Sequence, residues 1–310
     1  MKRYTLYTFP ALALLLAAAA CTQDDAGTLP DGTQPLTLTA SIEGGGLTRA
    51  TVDNRWNGNE TIALQVTDGD GTEWYDYTVD DKGNLSGEYY WTKPSPITVQ
   101  GICPATAMES TTWSVKSDQS SDADYQSGDL LASELTNVNY GSTAHLTFRH
   151  QTAKVVVNVS REGLPDAIDA TASDISLGIG KDENILMDGT FTLPTDDSGY
   201  GTWTPGTTEG SITPHLSGTA ADGCVATYEA LVIPQDMAAD TKLLTFTAEK
   251  DDTGYGPFYY MLQNDTEWKA GYKYTYNVTI TLYGLQVSVD TGSMTWDNGA
   301  GGEGAVELPI

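Results

Sequence analysis

Residues 36–42 read LTLTASI, with Leu36, Leu38, Ala40 and Ile42 at alternate positions and Thr37, Thr39 and Ser41 between them. Successive side chains of a strand point to opposite faces, so this spacing predicts a half-buried strand with its aliphatic residues inward. Downstream, Gly44, Gly45 and Gly46 break the pattern and LTRAT (47–51) opens a new segment. Period-two or continuous apolar runs then recur between turn signals, in TIALQV (61–66), ITVQGI (97–102), AHLTF (144–148), KVVVNV (154–159), DISLGI (174–179), ATYEALVI (226–233) and LLTFTA (243–248). The longest, YKYTYNVTITL (272–282), sets Tyr272, Tyr274, Tyr276, Val278, Ile280 and Leu282 on one face. Gly284 then precedes a phase change to Leu285, Val287 and Val289, which reads as a bulge or bend. No helix longer than a turn or two is expected. The best candidate is DYQSGDLLASEL (124–135), where Asp129, Leu130, Leu131 and Leu135 lie near helical spacing. Many short strands at short intervals predict an all-β fold built of β-sandwiches rather than a parallel α/β sheet.

Composition agrees. The chain has 310 residues, enough for two domains with their own cores, and 32 Gly and 17 Tyr among many Thr and Val suit strands joined by tight turns. We expect a first sandwich over 36–150 and a second over 151–310, with the boundary near Arg149 to Lys154, where two strand-like runs abut. The 15 Lys and Arg against 42 Asp and Glu give a net charge of −27 and exclude nucleic acid as a partner, because such a surface repels a phosphate backbone.

Outward from the first strand, the N-terminal end has the layout of an export signal. Met1-Lys2-Arg3 is followed by an apolar run from Phe9 to Ala20 that is too short to span a bilayer and ends in small residues before Cys21. A Cys directly after such a cut, followed by TQDDAG, resembles a bacterial lipoprotein signal, in which the thiol is acylated and becomes the mature N-terminus. Ala18 stands where Leu is more common, and an ordinary signal peptide (1–20) is the other reading. Asp24-Asp25 would then serve as a surface-export signal, and 21–35 as a flexible tether between lipid and fold. Without Lys2 and Arg3, 13 basic residues face 42 acidic ones, a net −29.

Catalytic motifs are missing from the sequence. It contains no GxSxG, no GxxxxGK[ST], no HExxH and no CxxC, and His145, His150 and His215 are scattered, so neither an enzyme nor a bound metal or cofactor is expected. DGDG (68–71), DDKGN (80–84) and KDEN (181–184) are read as hairpin turns before Ca²⁺ loops. Cys103 and Cys224 are read as two separate buried thiols. Trp74, Tyr75 and Tyr77, together with Tyr255, Phe258, Tyr259 and Tyr260, fit either a sugar-stacking platform or ordinary sheet packing.

In order along the chain, WNGNETIALQV, YYW, GICPAT, SDQSSDADYQSGDLLAS, LTFRHQTAKVVVNVS and GYKYTYNVTITLYGLQVSVDTGSMTWDNG resemble the fimbrillin family, the pilin-like lipoproteins of type V pili of anaerobic Gram-negative bacteria. The markers run from Trp56 to Trp296. The most specific are Asp118, Gln119, Tyr125, Asp129, Leu130 and Leu131, and the F-x-H-x-x-A-K run of Phe148, His150, Ala153 and Lys154. Cys103 departs from the Tyr more common before that Pro.

The resemblance implies two transthyretin-like β-sandwiches with Greek-key-like antiparallel sheets. It implies a lipid anchor at Cys21 in the outer membrane, and a fimbria in which other pilin subunits, of the same or another kind, are the partners. It further implies that an arginine-specific protease cuts after the first strand and that a neighbour's strand replaces it. Arg49 and Ala50 are the matching processing site: between Cys21 and Asp81 the only basic residues are Arg49 and Arg55, and Arg55 abuts Trp56 and the next strand. Val306, Leu308 and Ile310 alternate after GAGGEG as a donor strand should. Two other readings share this plan: a glycan-binding surface lipoprotein or tip adhesin, and a pilin-like fold that keeps its first strand and stays monomeric.

Overall fold

The structure, a computed structural model, describes residues 34–44, 53–108, 110, 112–161, 175–180, 182, 184–196, 198–250, 253–281 and 284–291. The first stretch supplies β1 (Thr37–Ile42), β2 (Thr61–Asp68), β3 (Gly71–Val79), β4 (Asn84–Gly87) and β5 (Ile97–Cys103). A 3-10 turn (Ala105–Met108), β6 (Thr112–Ser114) and the one-turn helix α1 (Asp122–Gln126) precede β7 (Leu131–Ser133), β8 (Thr136–Val138) and β9 (Thr143–His150). Only Gln151 and Thr152 separate β9 from β10 (Ala153–Arg161). Then come β11 (Ile175–Ile179), β12 (Ile185–Leu186), β13 (Asp188–Thr192), β14 (Thr202–Pro205), β15 (Glu209–Gly210) and β16 (His215–Leu216). The last are β17 (Ala226–Val232), β18 (Gln235–Met237), β19 (Lys242–Lys250), β20 (Thr253–Met261), β21 (Thr266–Trp268), β22 (Lys273–Thr281) and β23 (Gly284–Thr291).

The fold is all-β. Strands β2-β3-β4-β1-β9-β7-β5 follow one another in hydrogen-bonding order and β5 returns to β2, closing a ring with β8 attached to β5. Each strand of the ring has a strand partner on both sides, and β8 pairs on one side only. Inside the ring lie Leu36, just before β1, and Leu38, Ala40 and Ile42 of β1, with Trp56, Ile62, Leu64, Tyr77, Trp91, Leu146 and Phe148. The second core forms between the sheet β16-β17-β10-β22-β23 and the sheet β11-β19-β20, around Val155, Val157, Leu177, Tyr228, Phe246 and Tyr276. Both halves repeat one arrangement. β1 has β4 antiparallel on one side and β9 parallel on the other, and β10 has β17 antiparallel and β22 parallel.

Residues 112–128 leave the first core and strap onto the second. β6 pairs with β13, the amide of Val115 donates to the Met187 carbonyl (2.9 Å), and the Val115 side chain joins the second core.

Three sequence readings need correction. The helical spacing at 129–135 is not used: α1 ends at Gln126, and Leu131–Ser133 pairs with β5 and β9, because two flanking strands offer backbone partners as well as burial. Gly284 marks no bulge within one strand. β23 starts there and runs back antiparallel to β22, with Thr281 opposite Gly284. Cys103 is buried but Cys224 is only half-buried; both are free thiols.

Candidate functional site

The place of β1 in the ring is the feature with functional consequence. Its three aliphatic side chains, and Leu36 just before it, are at most 5% exposed, so the predicted alternation is realised in full. On one side β9 follows it in parallel through six paired positions, from Thr37 opposite Thr143 to Ile42 opposite Phe148. On the other side the ladder with β4 covers only Leu38 opposite Leu85 and Thr39 opposite Asn84.

Past that point single groups take over from a strand. The Ala40 amide donates to the Gly83 carbonyl at 2.7 Å, but the Gly83 amide is spent on Asp80 O in the turn. The Ala40 carbonyl is served instead by the indole N–H of Trp56, at 3.2 Å, and the Trp56 ring meets Phe148 edge-on at 5.3 Å. Gly83 has φ +84°, and a Cβ on it would stand 2.0 Å from the Ala40 oxygen, so the backbone itself approaches β1 here. Gly83 therefore holds the amide and Trp56 the carbonyl of Ala40, backbone groups rather than a side chain of β1.

Of the residues that carry the family resemblance, Gln119, Tyr125, Asp129, His150 and Lys154 make buried polar contacts, whereas Asp118 is exposed and Leu130, Leu131, Phe148 and Ala153 pack in the cores. His150, 4% exposed, donates from Nδ1 to Asp129 Oδ1 (2.7 Å), and its Nε2 lies 2.7 Å from Asn54 Oδ1. The Gln119 side chain acts as a short piece of strand: its Nε2 donates to the Leu231 carbonyl (2.8 Å) and its Oε1 accepts from the Leu231 amide (2.9 Å). Tyr125 donates to Glu229 Oε2 (3.1 Å), and Lys154 Nζ lies 3.3 Å from Glu229 Oε1 and 5.8 Å from the Tyr125 ring centre. Burial, and then the charge of Glu229, push the Tyr125 phenol well up. Gln119 and Tyr125 thus join strap to core, while His150 joins Asp129 to Asn54.

Other expected features sort themselves. Asp70 N donates to Asp68 Oδ1 (2.8 Å), Tyr89 donates to Asp68 Oδ2 (3.2 Å), Lys93 binds the Asp70 carboxylate, and the Asp80 carboxylate accepts from Lys82 N, Asn84 N and Asn84 Nδ2, so in both runs the acidic oxygens already have protein partners. The Asn84 amide and backbone N–H groups hold the Asp80 carboxyl below its usual range. No cluster able to hold a metal occurs among the described residues. Trp74 is exposed, but Tyr77 is buried and Tyr75 is half-buried, so no row of aromatics faces outward on β3. Burial pushes the Cys103 thiol well up, which leaves it a packing residue. Cys21, Arg49, Ala50, Val306, Leu308 and Ile310 lie outside the described residues. Sequence reading missed Trp56 and Gly83 as strand-holding groups. Only the position of Trp56 just past Arg55, and a glycine inside a turn signal, hinted at them.

Comparison with known proteins gives the same picture. A solved structure described as a candidate cell adhesion protein from Bacteroides uniformis superposes with a TM-score of 0.57 at 21% identity, covering 84% of this chain and 98% of that one. Another from Bacteroides ovatus, described in the same words, gives 0.59 at 15% identity, covering 84% and 97%. At such identity the likeness is one of fold. No curated protein matches the chain. The family model described as fimbrillin-like matches residues 48–295, which include the strap, the His150 cluster, the second core and the first core apart from β1. The chain belongs to the fimbrillin-like family.

Proposed function

We propose that this chain is a pilin-like structural subunit of a cell-surface fimbria, without enzymatic activity, that supports adhesion. It is anchored in the outer membrane through Cys21 and assembled by removal of β1 and its replacement by a neighbour's strand. The observation that carries this reading is the place of β1. It is one member of a closed ring, followed within a few residues by Arg49, and its loss would open the ring between β4 and β9. Removing Leu36, Leu38 and Ile42 from the core would expose surface worth on the order of 5 kcal/mol or more, which a new apolar strand would restore. Val306, Leu308 and Ile310 have the same two-residue spacing. The division into units 36–150 and 151–310 belongs to the same reading.

The full chain is treated with an arginine-specific protease and run on a denaturing gel without boiling. The wild type is expected to form detergent-resistant ladders, and Arg49→Ala or a deletion after Gly304 to abolish them. Ladders from an Arg49→Ala chain that also lacks Arg55 would overturn the processing site. Ladders from the tail deletion would overturn the donor strand. Cys21→Ser is expected to move the protein from the membrane to the soluble fraction, and retention on the membrane would place the anchor elsewhere.

A further inference from the structure

The ring holds β1 by more than its backbone and its aliphatic residues. Thr39 stands opposite His145 of β9, and the imidazole lies across the outward face of β1, with Nδ1 2.9 Å from Thr39 Oγ1 and Nε2 2.9 Å from Ser41 Oγ. A hydroxyl can donate or accept, so a neutral imidazole satisfies both contacts at once, with one nitrogen accepting and the other donating. A strand without hydroxyls two residues apart leaves both ring nitrogens without these partners.

A second clip sits at the end of the strand. Glu43 follows Ile42 directly, its amide donates to the Phe148 carbonyl (2.9 Å), and its Oε2 accepts from Arg149 Nε at 3.0 Å. The other arm of Arg149 binds Glu134. The Tyr200 phenol, from the loop between β13 and β14, bonds the same Glu43 and is pushed up to about 12, first by burial and then by that carboxylate. One carboxylate at this position thus ties β1 both to β9 and to the second half of the chain.

Resting on the assembly reading above, we infer that the place of β1 is selective for side chains, and that His145 and Arg149 are its specificity-determining residues. The strand they prefer carries hydroxyls at two successive outward positions and a carboxylate just past its last inward residue. Within this chain β1 itself meets that description. The tail Val306-Glu307-Leu308-Pro309-Ile310 does not: the residues that alternate with its aliphatic ones in the sequence are Glu307 and Pro309, neither with a hydroxyl, and Pro309 has no N–H to give to a ladder. The resident strand is therefore favoured over a second copy's tail while it stays covalently attached, and the clips keep an uncut subunit from exchanging.

The test uses the full, uncut chain and reads hydrogen exchange at the β1 and β9 amides. Thr39→Val with Ser41→Ala removes the hydroxyls without adding bulk; Glu43→Gln removes the charge. Each is expected to speed exchange across 37–42 about three- to tenfold, as the loss of one or two side-chain hydrogen bonds implies. Thr39→Ser with Ser41→Thr keeps the hydroxyls and is expected to restore the wild-type rate. Unchanged protection in both loss variants would overturn the inference, as would equal effects from the hydroxyl-keeping pair. A second arm follows capture of labelled peptides with the sequence of 34–44 by the protease-treated chain. Equal capture of a peptide lacking both hydroxyls and the carboxylate would overturn selectivity. Capture of neither peptide, with the uncut-chain effects present, would count against strand exchange while leaving the clips in place.

Discussion

At the scale of single residues, Gly83 is the position where the fold has least freedom. Any side chain there meets the Ala40 oxygen at 2.0 Å, in a backbone conformation that favours glycine. Gly83→Ala is expected to cost about 2 kcal/mol or more in urea denaturation, combining left-handed strain with the contact. A loss below about 0.5 kcal/mol would show that the turn moves away freely, since changes of that size are typical of surface sites. Tyrosines report the pH limits of the same packing. Burial pushes Tyr77, Tyr228 and Tyr274 each up to about 12 from an ordinary value of 10.0. A phenol whose folded value is raised contributes stability that is complete below the unfolded value and is lost as pH climbs through the folded one. The protein should thus hold steady to about pH 10 and weaken between 10 and 12, with these phenols ionising late in an ultraviolet titration. Ionisation of all tyrosines near pH 10 with the fold intact would contradict the burial.

Elements depend on contacts that are remote in sequence, and here the strap decides. Gln119 stands in for a strand partner of Leu231, 112 residues away. Gln119→Ala would leave a buried N–H and a buried carbonyl unpaired and is expected to cost about 2–4 kcal/mol. If thermal denaturation shows less than about 1 kcal/mol, other groups must be satisfying Leu231. The same distance explains what the sequence could and could not reveal. The alternation of Leu36 to Ile42 is a local property of seven residues, and it survives intact because one face of β1 is buried. The partners of β1 are not local: His145 is 106 residues from Thr39, and nothing in either stretch says that the two strands run parallel. Residues 130–133 read equally as helix or strand because apolar pairs fit both, and only β5 and β9, by offering hydrogen bonds, decide for strand. A lone histidine in a strand-like run, without catalytic partners nearby in sequence, reads as a buried, hydrogen-bonded structural residue, and His150 is one. Nothing in that run points to its partner Asn54, 96 residues away.

For the molecule as a whole, charge sets how copies approach one another. Thirteen basic against 42 acidic residues beyond Lys2 and Arg3 make every pair of subunits mutually repulsive at long range. If the chain assembles as proposed, raising ionic strength from about 0.01 to 0.15 M shortens the screening length from about 30 to 8 Å and should speed assembly several-fold. Light scattering during protease treatment would read this, and a rate that falls with salt would mean that complementary charged patches guide the encounter. The repeated parallel pairing of β1 with β9 and of β10 with β22 also has a mechanical consequence. In an uncut chain anchored as proposed, tension on the N-terminal side of β1 would pull along that strand, and its bonds to β9 would then be loaded in shear. They share the force and must yield together, whereas a hairpin pulled open at its end gives way one bond at a time. β9 passes the pull through two residues to β10, where β22 takes it up in the same geometry, so a continuous line of shear-loaded strands runs through both cores.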